Sequence, residues 1–297
     1  MKRESMNRYN EYKSSLKMTE VEEVIDLIFY RPLAFLLVKS IYNTKITPDQ
    51  LTLAAVIMGL TAGCFYAFGS QLSSVFGALF CLLFNILDCS DGQLARLKRN
   101  GTPVGRLLDG LADYIATIAI FVGIAIGYSQ KAERPSLMLI LLSLSGASLI
   151  IQGSLVDFYR TRFLDIIMKR KDTFDEGIEE YMNEYEQIKN KKDKWFDKTV
   201  ILIYLAYSKL QRNFVARRKR KKSFYATPQD YFNKNRVIIR FWVFMGPSAF
   251  ITTLIVCSLF YRFDIFFWII IGGFNILGAL LWIIQHQIDK SYVTLLK

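Results

Sequence analysis

Long apolar stretches separated by polar connections occupy most of this chain. Six of them, each about 20 residues long or longer, contain few charged residues: 51–69, 71–96, 106–128, 136–158, 237–261 and 264–286. About 20 apolar residues are enough for an α-helix to cross the hydrocarbon core of a bilayer. The pattern therefore predicts an all-α integral membrane protein with six transmembrane helices. The very short connection at 262–263 predicts that the last two form an antiparallel hairpin.

The segment before the first stretch has a different pattern. Residues 19–44 mix charged and apolar positions, which predicts an N-terminal amphipathic interfacial helix, with Arg31 and Lys39 near the lipid head groups. A helix packed against another domain is the alternative. The preceding residues lack the apolar core of a secretory signal peptide. We expect residues 1–50 to form the polar N-terminus and this helix.

Residues 51–297 are then expected to form one six-span domain with a charged cytoplasmic insertion at about 159–236. The insertion contains six consecutive basic residues, 217–222. Beside membrane spans, such a run favours anionic lipid head groups, and no specific nucleic-acid binding is expected.

Composition and charge predict how the chain is oriented in the membrane. The chain has 297 residues, of which 52% are hydrophobic, and a net charge of +12. Its basic residues concentrate in the N-terminus, the connection after the second stretch, and the insertion. Positive residues accumulate on the cytoplasmic side of membrane proteins, so we expect both termini in the cytoplasm and the chain in the cell inner membrane. A single histidine, His286, argues against histidine-based catalysis.

Four aspartates interrupt the apolar pattern where the second stretch ends and the third begins. Asp88 and Asp91 are three residues apart, and Asp109 and Asp113 are four apart, so each pair lies on one face of its helix. The glycines and proline at 101–105 predict a turn that brings the two pairs together. Carboxylates in apolar surroundings need a partner or a cation, and an all-oxygen set suits Mg²⁺, Mn²⁺ or Ca²⁺. Buried, ion-paired aspartates in a helix bundle are the alternative.

The same stretch resembles the signature of the CDP-alcohol phosphatidyltransferases, D-x2-D-G-x2-A-R-x8-G-x3-D-x3-D. It matches at every fixed position: Asp88, Asp91, Gly92, Ala95, Arg96, Gly105, Asp109 and Asp113. The resemblance implies transfer of a phosphatidyl group from a CDP-linked lipid, such as CDP-diacylglycerol, to an acceptor hydroxyl, with release of CMP, in phospholipid biosynthesis. It also implies a homodimer.

The resemblance further implies two bound divalent cations, Mg²⁺ or Mn²⁺. Asp88 and Asp109 would touch both ions, Asp91 the first and Asp113 the second. Asp113 would also be the general base that takes the proton of the acceptor.

Contacts to the donor follow from the same resemblance. Arg96 would pair with phosphate oxygens, and the small side chains around it would let the nucleotide approach the backbone. The T-P-D opening of the first span, at residues 47–49, is where relatives contact the CDP moiety. The predicted nucleotide and donor contacts are Asp49, Thr52, Gly92, Ala95, Arg96, Thr102 and Gly105.

Arginines near the ends of two predicted spans, at the same cytoplasmic edge as the aspartates, are the candidate acceptor-binding residues. Arg160 and Arg162 end the fourth stretch, Arg236 and Arg240 open the fifth, and relatives that use an inositol phosphate acceptor often show a similar R-x-R. Converging arginines would bind a phosphorylated acceptor, whereas the alternative is anchoring at the membrane edge. Inositol phosphate is the first choice, and glycerol phosphate, inositol, serine or a choline- or ethanolamine-type alcohol stay open. An inactive lipid-binding protein and an ion transporter are the alternatives of other classes.

Overall fold

The computed structural model describes residues 8–130, 132–168, 173–191, 194–195, 197–202, 204–205 and 227–294. Within these residues the chain is helical and contains no strand. The helices are α1 (Arg8–Ser15), α2 (Arg31–Ile41), α3 (Pro48–Ala67), α4 (Gln71–Lys98), α5 (Pro103–Ser129), α6 (Pro135–Ile167), α7 (Thr173–Ile188), α8 (Pro228–Phe244), α9 (Pro247–Leu259), α10 (Phe263–Phe267) and α11 (Asn275–Thr294). A short 3₁₀ turn, Thr19–Val21, and two π-helical segments, Asp26–Tyr30 and Trp268–Phe274, complete the described elements.

Six helical segments are long and apolar enough to cross a membrane, which confirms the predicted integral membrane fold. They are Pro48–Ala67, Gln71–Lys98, Pro103–Ser129, Pro135–Ile167, Pro228–Leu259 and Phe263–Lys290. The fourth extends beyond its predicted end at residue 158 to Ile167. Residues 159–167 mix charged and apolar positions, and they continue the helix past the apolar stretch. The fifth is interrupted after Phe244 and restarts at Pro247.

Polar side chains set where the first three spans begin. Thr47 and Ser70 each form a capping box at the N-terminus of α3 and α4. Thr102 accepts a hydrogen bond from the Gly105 N–H at 2.9 Å and caps α5. Arg99, in the left-handed conformation with φ of 53°, ends α4. These caps satisfy helix-terminal groups and define a short turn between α4 and α5.

Small residues allow α3 and α5 to pack with their backbones almost in contact. A Cβ atom at Gly123 would overlap the carbonyl oxygen of Gly63, and one at Gly59 would overlap Ala116. Interfaces of this kind hold membrane helices together through close packing where no hydrophobic driving force acts between them. This contact sets the position of α5, and with it the third and fourth aspartates, relative to the first span.

The N-terminal segment, residues 8–41, packs against the spans, and its residues 24–41 form one continuous helix in which a π-helical segment leads into α2. Its residues Val21, Tyr30, Ala34 and Val38 are buried, and α2 packs on α4. The Tyr30 hydroxyl shares a hydrogen bond of 2.9 Å with Thr252 in the fifth span. Apolar side chains also face outward from this segment, as in an amphipathic helix in contact with lipid.

Glu23 of the N-terminal segment caps the break in the fifth span. Its Oε2 accepts a hydrogen bond of 2.8 Å from the Ser248 N–H in the first turn of α9. A Cβ atom at Gly246 would overlap the Glu23 carboxyl group, so a larger residue there would displace the Glu23 side chain from this position. Burial, followed by the nearby Asp26, raises the pKa of Glu23 to about 8, while Ser248 and Arg160 act in the opposite direction.

The α3–α5 contact yields a stability prediction. We expect Gly123→Ala to lower the free energy of unfolding by about 1–3 kcal/mol or more, because the added methyl group forces two packed backbones apart. Gly153→Ala on α6 is the matched control, since a Cβ atom there meets nothing within 4 Å. The measurement is unfolding in detergent. Equal stability of the two variants would contradict the packing argument.

A second prediction concerns pH. The native state keeps the Glu23 proton up to about pH 8, whereas the ordinary pKa of the group is 4.5. The native state therefore binds more protons in this window, and stability must fall as pH rises through it, by a few kcal/mol at most, on the order of one per unit of pKa shift. We expect Glu23→Gln to flatten the dependence of the unfolding temperature on pH between about 5 and 8, measured against wild type and Glu20→Gln. An unchanged slope in Glu23→Gln would show that Glu23 is ionised in the folded protein.

Candidate active site

The end of α4 and the start of α5 bring the four predicted aspartates together. Ligand oxygens of Asp88, Asp91 and Asp109 lie within 4.8 Å of one another. The carboxyl groups of Asp113 and Asp88 are close enough for a side-chain hydrogen bond. The helical spacing and the turn between the helices thus produce the predicted convergence, at one end of the second and third spans.

The chemistry of this cluster fits a hard divalent cation. All four groups offer oxygen ligands, and such sets suit Mg²⁺ or Mn²⁺. The Oδ1 atom of Asp109 is buried and has no hydrogen-bond partner among the described residues. Asp91, only 5% exposed, is oriented by the Thr52 hydroxyl, which donates to its Oδ2 at 2.5 Å. A buried carboxylate oxygen without a partner is costly, and a cation between the carboxylates would satisfy it.

On one side of the cluster, Arg96 lies beside Gly92. A Cβ atom at Gly92 would be 3.2 Å from Arg96 Nη1, so a larger side chain would crowd the guanidinium. Arg96 Nε donates to the carbonyl oxygen of Ser15 at 2.5 Å. Its Nη2 atom is buried and lacks a partner among the described residues. The guanidinium therefore has a donor available for a ligand.

On the other side, the N-termini of α3 and α5 meet. A Cβ atom at Gly105 would lie 3.0 Å from Thr102 Oγ1 and 3.1 Å from Asp49 Oδ1. Ala95, near the end of α4, faces the turn, 3.5 Å from where a Cβ at Gly101 would lie. The predicted donor contacts thus occupy the three helix ends that surround the aspartates, and helix N-termini favour anionic groups.

The four predicted acceptor arginines lie in different surroundings. Arg162 Nη1 lies 2.8 Å from Asp289 Oδ2, an ion pair that joins the ends of the fourth and sixth spans. Arg160 lies near Lys17 and Glu23 of the N-terminal segment, since its charge acts on both. On α8, Arg236 is exposed and Arg240 is half-buried. An acceptor role for these arginines stays a prediction.

Sequence reasoning missed the N-terminal segment as part of the site. Arg31, expected near the head groups, is only 8% exposed. Its Nη2 lies 3.2 Å from Glu22 Oε2, and its Nη1 donates to the Cys89 carbonyl oxygen at 3.3 Å. Burial opposes ionisation of Glu22, but Arg31 and the Lys17 N–H outweigh it and lower its pKa. The available signal was three carboxylates and an arginine within residues 22–31, more charge than a lipid-facing segment needs.

Part of the insertion also reaches the site. Arg106, one residue after Gly105, forms an ion pair of 2.6 Å with Glu180 of α7. Beside it, Val104 and Tyr181 pack in a small apolar cluster. The basic run 217–222 lies outside the described residues.

A cavity of about 690 Å³ lies elsewhere, along the fifth and sixth spans. Its lining is mostly apolar and includes Thr252, Val256 and Phe274, but none of the predicted site residues. Apolar cavities are a common location for ligands, but reaction chemistry needs convergent polar groups. The aspartate cluster, and not this cavity, is therefore the candidate active site.

Comparison with known proteins agrees with this site. Residues 45–162 match the sequence model of the CDP-alcohol phosphatidyltransferase family, a region that contains all four aspartates. The match falls on the stretch whose motif resembles this family. It is also similar to phosphatidylinositol phosphate synthase of Corynebacterium glutamicum, with 33% identity over 109 residues. The match covers 36% of this chain and 47% of the relative, so the chain spans about half the length of the relative that it matches.

The metal assignment can be tested without turnover. We expect the purified protein to bind Mn²⁺, and Asp109→Asn to weaken binding at least about tenfold, because one negative ligand is lost among the few that a hard cation needs. Asp157→Asn, at an exposed position of α6, is the matched control. Titration followed by the electron paramagnetic resonance of free Mn²⁺ measures both. Equal affinity of the two variants would remove Asp109 from the metal site.

Proposed function

We propose that this protein is a metal-dependent CDP-alcohol phosphatidyltransferase of phospholipid biosynthesis. It transfers a phosphatidyl group from a CDP-linked lipid, such as CDP-diacylglycerol, to an acceptor hydroxyl and releases CMP. The observation that carries the proposal is the convergence of Asp88, Asp91 and Asp109 within 4.8 Å, at the spacing of the family signature.

In this proposal each group of the site has a distinct task. The aspartates at positions 88, 91, 109 and 113 hold Mg²⁺ or Mn²⁺, with two ions expected. Bound divalent cations neutralise negative charge on the pyrophosphate of the donor. Arg96 pairs with a phosphate oxygen through its unpartnered Nη2. Asp113 accepts the proton of the acceptor hydroxyl as that oxygen attacks phosphorus.

The donor contacts extend this assignment to the surrounding helix ends. Thr52 keeps Asp91 in place, and Asp49, Thr102 and Gly105 line the approach of the nucleotide. Gly92 and Ala95 leave room along α4 beside them.

For the acceptor, we favour inositol phosphate. The similarity to a phosphatidylinositol phosphate synthase supports a phosphorylated polyol, and so do the arginines at positions 160, 162, 236 and 240. Glycerol phosphate, inositol, serine and choline- or ethanolamine-type alcohols are the competing acceptors. An inactive lipid-binding protein is a weaker proposal, because all four aspartates and Arg96 are retained.

The location of the site follows from charge. Basic residues concentrate in the connections on the side of the aspartates, which favours a cytoplasmic site and cytoplasmic termini, in the cell inner membrane. A lipid donor within the membrane and a water-soluble acceptor could meet at that interface. A homodimer is expected from the family resemblance.

The decisive experiment measures CMP release from CDP-diacylglycerol with a panel of acceptors. We expect turnover with inositol phosphate and its loss in excess EDTA. We also expect Asp113→Asn to lower the rate roughly 10²- to 10⁴-fold, because asparagine keeps the shape but cannot accept a proton. Asp157→Asn serves again as the control.

Three outcomes would contradict this proposal. Full turnover in EDTA would exclude the metal requirement. A rate for Asp113→Asn above about a tenth of wild type would exclude its role as the base, given the usual cost of losing one. Equal activity with inositol phosphate and inositol would exclude a phosphate-binding acceptor site.

A further inference from the structure

Three cations lie close to one another beside the aspartate cluster. Lys17, Arg96 and Arg160 form no ion pair within 4 Å with the carboxylates of the described residues. The charges of Arg96 and Arg160 both act on Lys17, so the three groups are neighbours. Glu22 and Asp91 offset part of this positive charge, and an anionic ligand bound among the three cations would offset more of it.

Lys17 belongs to the N-terminal segment, outside the region that matches the family, yet its backbone is fixed to the motif helix. Its N–H donates to Glu22 Oε1 at 2.8 Å, and Glu22 pairs with Arg31, which in turn donates to the Cys89 carbonyl between two of the aspartates. Two residues earlier, the Ser15 carbonyl accepts from Arg96 Nε. Both ends of the peptide 15–17 are therefore tied to α4.

This attachment keeps Lys17 beside the aspartate-bearing end of α4. Its charge acts on Asp109 more strongly than that of Arg31 does. Lys17 remains accessible to solvent, although many protein atoms lie near its side chain. Burial first, and then Arg160 and Arg31, lower the pKa of Lys17. An ammonium group among other cations beside a carboxylate cluster is well placed to bind an anion.

We propose that Lys17 is a specificity-determining residue that binds the phosphate group of the acceptor, together with Arg160. The inference rests on the proposed function and extends its acceptor site to the N-terminal segment. Arg160 is the cation that acts most strongly on Lys17, and it ends the fourth span. Arg96, the third of these cations, is expected to bind the donor pyrophosphate. A phosphate group bound between Lys17 and Arg160 would therefore lie next to the donor. Ammonium–phosphate hydrogen bonds are strong because both partners are charged.

The test compares Lys17→Met with the matched control Lys13→Met, an exposed lysine on α1. We expect Lys17→Met to raise the KM for inositol phosphate roughly ten- to a hundredfold, as for the loss of one charged hydrogen bond. The KM for CDP-diacylglycerol and the rate with unphosphorylated inositol, where measurable, should stay within about twofold of wild type. Lys17→Arg should restore most of the affinity, because arginine also donates to phosphate.

A binding assay separates this proposal from the catalytic one. Calorimetric titration of the detergent-purified protein with inositol phosphate, and with inorganic phosphate as the minimal probe, needs no turnover. Weaker binding to Lys17→Met than to Lys13→Met would support the site even if no CMP were released with any donor. A raised KM for CDP-diacylglycerol alone would assign Lys17 to the donor pyrophosphate and overturn the acceptor assignment. Unchanged phosphate affinity, or equal losses with inositol and inositol phosphate, would overturn it as well.

Discussion

Repulsion between four carboxylates is the constraint on which the structure of the site depends. Two unit charges about 5 Å apart repel by roughly 3 kcal/mol even at an effective dielectric constant of 20, and the cluster contains several such pairs. Cations or shared protons must offset this repulsion if the cluster is to persist. The surrounding structure holds the carboxylates in place: α3 and α5 pack backbone to backbone at Gly63 and Gly123, and Thr52 holds Asp91. Because it costs energy to bring these carboxylates together, we infer that the function of the site requires them at one place.

Part of the positive charge around the cluster comes from a segment outside the matched family region. Arg31 bonds to the carbonyl of Cys89, between two of the aspartates, and the backbone beside Lys17 is tied to Arg96. Buried ion pairs such as Arg31–Glu22 contribute little net stability, since desolvation offsets much of their attraction. Their role here is to position the N-terminal segment against the aspartate-bearing end of α4.

Two further contacts link segments outside the motif to the helices that carry it. Glu23 reaches the break in the fifth span, so the N-terminal segment joins the fifth span to α4. Glu180 of the insertion pairs with Arg106 at the start of α5. The aspartate motif is thus built from two adjacent helices, whereas the groups around it come from segments distant in sequence. Differences in acceptor between proteins with this motif would arise most simply among such groups.

The sequence alone determined the six spans, the pairing of aspartates on helix faces and the turn that joins them. These features depend on local periodicity, because residues three or four apart share a helix face wherever the helix lies. It did not determine that the N-terminal segment is buried, since an apolar face toward lipid and one toward protein have the same pattern. The partners of Arg31 and Arg162 lie 58 and 127 residues away in the sequence, so only the packing of the spans could select them. The acidic core of the site could therefore be predicted from residue spacing. The positions of the cations around it could not, because the tertiary structure brings segments that are distant in sequence to one end of the spans.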